Sequence, residues 1–411
     1  MRSDSDQLAS ELAGELDARL ARADSELAAL FPGDRAGRQP VHTVYTPADR
    51  FHAGLVPSWG EAALAAVASH RELFTELVAD DDVVRRVADK LAVEPVEDLR
   101  IDFEDGYGSR DDGVEDADVA RAAAELVTSL AAGSAAPSYG IRIKSLEAAT
   151  RARAVRTFVG FLTVLADADA PAERFVVTLP KVTSVEQVQA MVHLCERAER
   201  ALGVKPLRFE IQIETPQSVL APDGSALVAR MVHAAGGRCS GLHYGTYDYS
   251  AFCGIAARYQ SLEHPAADHA KAVMQAAAAG TGVRLSDGST NVLPVGNPAA
   301  VRRGWELHLR LVRRSLERGY YQGWDLHPAQ LPTRFAASYA FYRDGLADAQ
   351  RRLHDYFEQT DSAILDEPAT VRALADYVLR ALSCGAATAA EVERATGLDA
   401  GRLAALAGRA A

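Results

Sequence analysis

The chain has 411 residues, 48% of them hydrophobic and 24% charged, which is the mix of a soluble globular protein long enough for one large α/β domain with additions. A formal net charge of -12 without any basic block argues against nucleic acid or an anionic membrane as a partner, and no apolar run approaches a transmembrane span. Acids at Asp4, Asp6, Glu11 and Glu15 exclude a signal peptide at the start, and Cys195, Cys239, Cys253 and Cys384, without CxxC spacing, predict reduced thiols in a cytoplasmic protein rather than a zinc site.

Residues 1–31 predict a helix, with Leu8, Leu12, Leu16, Leu20, Leu27 and Leu30 at helical spacing. A Gly/Arg/Pro linker then runs to Pro40, so 1–40 form an N-terminal helix and linker that is expected to pack on the main domain or on a partner subunit. From Val41 strands and helices alternate. Strands are expected at 41–45, 99–103, 140–144, 175–179, 209–213 and 240–245, the last running into Thr246 to Tyr249. A seventh is expected at 283–285 or 291–295 and an eighth at 321–325. Helical patterns cover 60–92, 114–132, 147–166, 184–202, 218–235 and 298–318. Eight such units predict a (β/α)8 TIM barrel over 41–331. A doubly wound open sheet fits less well, because no strand is followed by the GxGxxG phosphate fingerprint. Residues 332–411 read as a C-terminal helical extension, with helices at 333–359 and 367–383 and a short Ala-rich pair at 388–408.

The fifth strand carries the clearest signal. Phe209 to Ile213 alternates apolar and polar residues, and Glu214 stands at its C-terminal end, where Thr215-Pro216 turns the chain into a helix. In a barrel, ligands bind at that end of the strands. The other strand ends bring Asp49 and Arg50; Asp102, Glu104 and Asp105; Arg142 and Lys144; Lys181; Asp248; and His327 to the same mouth. So many charges around one hole are costly unless a cation or an anionic ligand is shared among them. Glu214 and Asp248, from adjacent strands, are suited to Mg²⁺, which is usually held by one or two carboxylates plus waters and substrate oxygens. A salt-bridged loop charge is the plain alternative for each residue alone. His243 and His327 read as structural strand-end hydrogen-bonders more readily than as catalysts.

Seven short segments in this order resemble the citrate lyase beta subunit and the related HpcH/HpaI metal-dependent aldolases, whose barrel is shared with malate synthase. They are Tyr45-Thr46-Pro47-Ala48-Asp49-Arg50, Asp102-Phe103-Glu104-Asp105, Ile141-Arg142-Ile143, Leu179-Pro180-Lys181-Val182, Ile213-Glu214-Thr215-Pro216, Gly245-Thr246-Tyr247-Asp248 and Trp324-Asp325-Leu326-His327-Pro328-Ala329-Gln330. The resemblance implies that Glu214 and Asp248 bind Mg²⁺, that Arg142 binds a substrate carboxylate or carbonyl oxygen, and that Glu104 and Asp105 lie near the metal and hold its waters. Asp49, Arg50 and Lys181, at the same mouth, join Arg142 as candidate substrate-binding residues. Asp366 matches a position that caps a neighbouring subunit's active site, and a helix N-cap is the plain reading of the same residue.

The activity implied is that of a Mg²⁺-dependent carbon–carbon lyase or aldolase. It would act through a metal-stabilised enolate on a 2-oxo acid, a hydroxy acid or an acyl-CoA-type substrate. A malate-synthase-like condensing enzyme, with Asp366 as candidate base, and a non-catalytic barrel acting as a binding subunit are the alternatives. The family's assembly implies a homotrimer or a multiple of it. Leu365, Val371, Leu374, Tyr377, Val378 and Leu382 form an apolar stripe for which a neighbouring subunit is the expected cover, with packing back on the chain's own barrel as the plain alternative. The chain departs from the family's pattern at Phe103 and Gly106-Tyr107-Gly108 and in a longer stretch from Phe252 to Gly296, which shapes the pocket and leaves the substrate open.

Overall fold

A computed structural model describes residues 2–358 and 367–409. Its centre is one sheet of eight parallel strands: β1 (His42–Pro47), β2 (Asp98–Asp102), β3 (Ser138–Arg142), β4 (Phe175–Leu179), β5 (Arg208–Ile213), β6 (Cys239–Tyr244), β7 (Arg284–Ser286) and β8 (Gly323–Asp325). Neighbours pair in chain order, and β1 also pairs with β8. The ring closes between β7 and β8 through a bridge from Ser286 to Gln322, where the Asp287 N–H donates to the Gln322 carbonyl at 2.8 Å. The predicted (β/α)8 barrel is therefore the fold, and of the two candidates for the seventh strand the earlier one forms.

Strand alternation sorts the side chains. On β2, Leu99 and Ile101 join the apolar core, while Asp98, Arg100 and Asp102 are buried, Arg100 bonded to Asp98 and to Glu210 of β5 and Asp102 to Arg142 of β3. On β5, Phe209, Ile211 and Ile213 join the core, while Glu210, Gln212 and Glu214 take the other face. That second face forms a charged inner layer. Arg100 forks onto Glu210 at 3.0 and 2.9 Å, Glu210 meets His243 Nε2 at 2.9 Å, and His243 Nδ1 accepts from Trp324 Nε1 at 2.9 Å. His243 thus has the structural role expected of it, and so has His327, whose ring accepts from the Ala329 N–H at 3.1 Å and caps the turn after β8.

Several elements differ from expectation. The helix predicted over 60–92 is three helices, Leu55–Ser69, Arg71–Val78 and Asp81–Val93. His70 leaves helical geometry, Ala79 is left-handed at φ 54°, and the Asp80 carboxylate caps the third helix by accepting from Asp82 and Val83. The helix predicted over 218–235 is interrupted by Ala221-Pro222-Asp223-Gly224, a Pro-Asp-Gly turn that leaves Pro216–Val219 and Leu227–Ala234 on either side. The sixth strand stops at Tyr244, and Thr246 to Tyr249, into which it was expected to run, belongs to the helix Thr246–Phe252.

The N-terminal helix, Arg2–Leu30, does not pack on the barrel: residues 5–30 are exposed, with Leu8 at 55% and Leu27 at 60%. The C-terminal apolar stripe finds its cover inside the chain. Val371 and Val378 are buried, Leu374, Tyr377 and Leu382 pack against the core, and the Tyr377 hydroxyl donates to Phe341 and Tyr342 carbonyls at 2.6 and 3.0 Å on the helix Leu331–Glu358. The chain's own long helix after the barrel supplies a surface the sequence reading assigned to a neighbour. Leu365 and Asp366 lie outside the described residues. No described helix is long and apolar enough to cross a membrane.

Candidate active site

The C-terminal ends of β1 to β8 open on a cavity of about 450 Å³. Arg50, Asp102, Asp105, Arg142, Glu214 and Asp248 are among its lining residues, with Tyr45 and Trp324 on its floor side toward the inner layer. At β5, Thr215 caps the short helix after it by accepting from the Ser218 N–H at 3.2 Å, and its hydroxyl donates to the Val182 carbonyl at 2.6 Å. Glu214 is thereby pinned between the β4 and β6 turns, 2% exposed. The next turn needs a glycine, because a Cβ on Gly245 would stand 2.4 Å from Glu214 Cβ.

Asp102 organises the β2 side. Its carboxylate accepts from Arg142 Nε at 2.7 Å and Nη2 at 2.6 Å, and from the backbone N–H groups of Glu104 at 2.9 Å and Gly106 at 2.8 Å. The fork leaves Arg142 Nη1 facing Glu104 Oε2 at 3.3 Å, and the guanidinium lies over the Tyr45 ring, 5.0 Å from its centre. Burial opposes the charge on Arg142, but Asp102 and Glu104 outweigh it and hold the group firmly cationic.

Lys181 occupies the middle of the site. Its ammonium is 2.6 Å from Glu104, 2.9 Å from Asp105 and 3.0 Å from Asp248. Its backbone N–H donates to Glu214 Oε1 at 2.7 Å from a left-handed conformation, φ 51°, which is strained for a residue with a Cβ. Burial works against the ammonium, while Glu214, Glu104 and Asp105 raise its proton affinity well above the ordinary lysine value. The acids divide. Burial raises Glu104 despite Arg142 and Lys181. Burial also acts on Asp105, but its bond to Lys181 and the charge of Arg142 keep it below the usual carboxylate range. Glu214 is pushed up to about 8 by burial first, which the Lys181 charge only partly offsets, with Glu104 and Asp248 adding repulsion.

Among the described residues no three His, Cys, Asp or Glu side chains form a ready-made metal cluster. The donor chemistry nevertheless fits Mg²⁺, which asks for one or two hard carboxylates and room for waters, and not for an all-protein cage. Glu214 and Asp248 supply the two carboxylates beside open cavity.

Of the predicted site residues, Glu104, Asp105, Arg142, Lys181, Glu214 and Asp248 lie together through these contacts, and Arg50 lines the same cavity. Asp49 is on the rim and pairs with Arg110 at 3.2 Å. Lys144 turns away from the mouth to Glu115 at 2.9 Å and the Phe103 carbonyl at 2.7 Å. The roles of Asp102, Tyr45 and Trp324 escaped the sequence reading although all three stand in the quoted segments. The alternation Asp98, Arg100, Asp102 against Leu99 and Ile101 was the available signal that β2 turns acids and a base inward.

A parallel barrel with a charged mouth at its C-terminal end defines the class: a TIM-barrel protein with a charged cavity where the strands end. The chain belongs to the family described as a domain of unknown function (DUF6986), which matches residues 20–411. No curated protein matches it. Among solved structures it is similar to the Haloferax volcanii malate synthase in its magnesium/glyoxylate complex, at 13% identity and TM-score 0.51, over 92% of this chain and 100% of that one. The native form of that enzyme at 3 mM glyoxylate matches at 12% identity and TM-score 0.50, over 86% of this chain and 89% of that one. The protein CitE from Mycobacterium tuberculosis, in complex with magnesium, acetoacetate and coenzyme A, matches at 18% identity and TM-score 0.49, over 85% and 99% of the two chains. At these identities the Haloferax likeness establishes the barrel and nothing finer.

Proposed function

We propose that this chain is a Mg²⁺-dependent enzyme that makes or breaks a carbon–carbon bond beside a carbonyl, a lyase or aldolase of the citrate lyase beta type. The observation that carries the reading is the continuous set of contacts Asp102–Arg142–Glu104–Lys181–Asp248, with Glu214 bonded to the Lys181 backbone, at the mouth of a barrel. In this reading 41–331 is the catalytic domain and 332–411 its helical buttress.

When bound at Glu214 and Asp248, Mg²⁺ supplies Lewis-acid polarisation of a carbonyl oxygen. The chain's own groups do the rest. Asp102 fixes the Arg142 plane through two bonds, so Nη1 is pre-oriented to take a substrate carboxylate in exchange for its longer contact to Glu104. Lys181 keeps its charge next to that carboxylate. Glu104, whose proton affinity burial raises, takes the proton from the hydroxyl whose carbon becomes the new carbonyl and returns it to the carbon left behind. The same transfers in reverse make the bond, so one set of residues serves both cleavage and condensation. A cavity of about 450 Å³ suits a small carboxylate or 2-oxo acid, free or as the acyl end of a CoA thioester. The Haloferax complex with magnesium and glyoxylate, a relative in fold, holds ligands of this class.

The test is a panel of 2-oxo-hydroxy acids and acyl-CoA thioesters assayed for pyruvate, acetyl-CoA or glyoxylate release, with and without Mg²⁺. Release that needs Mg²⁺ and disappears in Glu214→Gln and Asp248→Asn is the expected result. Turnover indifferent to Mg²⁺ would remove the metal from the proposal, and no turnover of any member would favour a binding role.

A further inference from the structure

The opposite end of the barrel holds a second concentration of charge. Arg35 from the linker, Arg284 at the start of β7, and Arg380 and Arg409 from the C-terminal extension line one cavity of about 170 Å³. Two acids stand near these four guanidinium groups. Asp376 is shared between Arg380 and Arg409, at 2.6 Å from Arg380 Nε and 2.9 Å from Arg409 Nε, and Asp34 lies on the cavity wall.

Arg284 and Arg35 have no carboxylate partner among the described residues. Arg284 donates only to carbonyls, of Arg38 at 2.6 Å, Gly37 at 2.9 Å and Ala36 at 3.4 Å. Arg35 donates Nη2 to the Gly237 carbonyl at 2.8 Å, and its Nη1 is buried without any hydrogen-bond partner. Carbonyls orient a guanidinium without neutralising it, and a buried N–H left unpaired is costly. Burial and the charges of Arg380, Arg409, Arg35 and Arg208 press the Arg284 pKa down to about 10, the sign of cations that outnumber the anions beside them.

Nothing at the barrel's mouth accounts for this arrangement, because Arg284 opens its strand and the proposed catalytic residues follow the strands' far ends. We propose that this cavity is a second binding site, for the phosphate group of a small anion, formed where the linker and the C-terminal extension meet the closed end of the barrel. Planar guanidinium forks from three parts of the chain suit a tetrahedral oxyanion better than ammonium groups would. The cavity has room for a phosphate and a few waters. An anion there would tie residues near both ends of the chain to β7.

Calorimetric titration of the full chain with inorganic phosphate, and separately with glycerol phosphate, at an ionic strength fixed with chloride, tests the site. Saturable binding is expected, weakened about tenfold in Arg35→Ala and in Arg284→Gln, the worth of one charge-assisted hydrogen bond, and unaltered by Arg142→Gln at the mouth. Tighter binding of the ester assigns an organic phosphate, and equal or tighter binding of the free ion assigns phosphate itself. Circular dichroism confirms that each variant is folded, and Arg35→Ala serves if Arg284→Gln is not. No saturable binding of either probe, or binding lost in Arg142→Gln and kept in Arg35→Ala, overturns the proposal.

Discussion

The Lys181 ammonium lies 3.0 Å from the Asp248 carboxylate and 2.6 Å from that of Glu104, so a single positive charge stands among the acids proposed to hold a doubly charged one. Lysine and Mg²⁺ then compete for Asp248. Lys181→Met should tighten Mg²⁺ binding measured by calorimetry while lowering turnover, because the ammonium also serves the substrate carboxylate. Weaker or unchanged Mg²⁺ binding in that variant would mean that Lys181 and the metal share the site without contest.

Glu214→Gln and Asp248→Asn keep size and shape and remove one carboxylate each. Both should lose Mg²⁺ binding and Mg²⁺-dependent activity with the circular dichroism spectrum unchanged. A variant that binds Mg²⁺ like the wild type would take that residue out of the metal site.

Arg142→Lys retains a charge but cannot bridge Asp102 and a substrate with one rigid plane. Loss of substrate binding by about 1.5–3 kcal/mol is expected, the scale of a hydrogen bond to a charged group. Asp102→Asn should show the same loss in kcat/KM with Mg²⁺ affinity intact, since Asp102 acts on the substrate only by holding Arg142. Wild-type kinetics in both would move the anion clamp to Arg50 or Lys181.

Stability depends on a different carboxylate. Asp325 is fully buried at the β1–β8 seam, bonded to His42 at 2.8 Å and Arg334 at 3.0 Å, with His308 Nε2 lying 3.1 Å away. Burial would raise its pKa, but Arg334 with His308 and His42 carries it well below the usual value. A carboxylate depressed in the fold contributes stability above its unfolded pKa of about 3.9, and that contribution is lost as pH falls toward the folded value. Asp325→Asn should therefore cost about 3–5 kcal/mol at pH 7, as for a broken buried ion pair, with the gap to wild type narrowing below about pH 4. Urea unfolding across a pH series reads this directly, and a gap independent of pH would contradict it. His308, which burial holds below the usual imidazole range, works in the same direction. Its contribution is present above about pH 6.5 and fades on acidification.

Much of this protein was legible before any coordinates. Period-two runs closed by Pro or Gly gave the strands, and the barrel order placed Glu104, Asp105, Arg142, Lys181, Glu214 and Asp248 at one mouth, because strand direction alone decides which end of a parallel strand faces it. Local chemistry that the reading passed over explains the broken helices: an Asp-rich cap at Asp80 and a Pro-Asp-Gly turn at Pro222. What the sequence could not hold is pairing between distant side chains. That Asp102 takes the fork of Arg142, that Lys181 turns to three acids while Lys144 turns to Glu115, and that the stripe around Tyr377 is covered by the chain's own helix all depend on side-chain directions across elements far apart in the chain. Periodicity fixes the face on which a residue stands. Only the packed barrel decides which charge it meets there, because that choice is made by distances of a few ångströms that no spacing along the chain encodes.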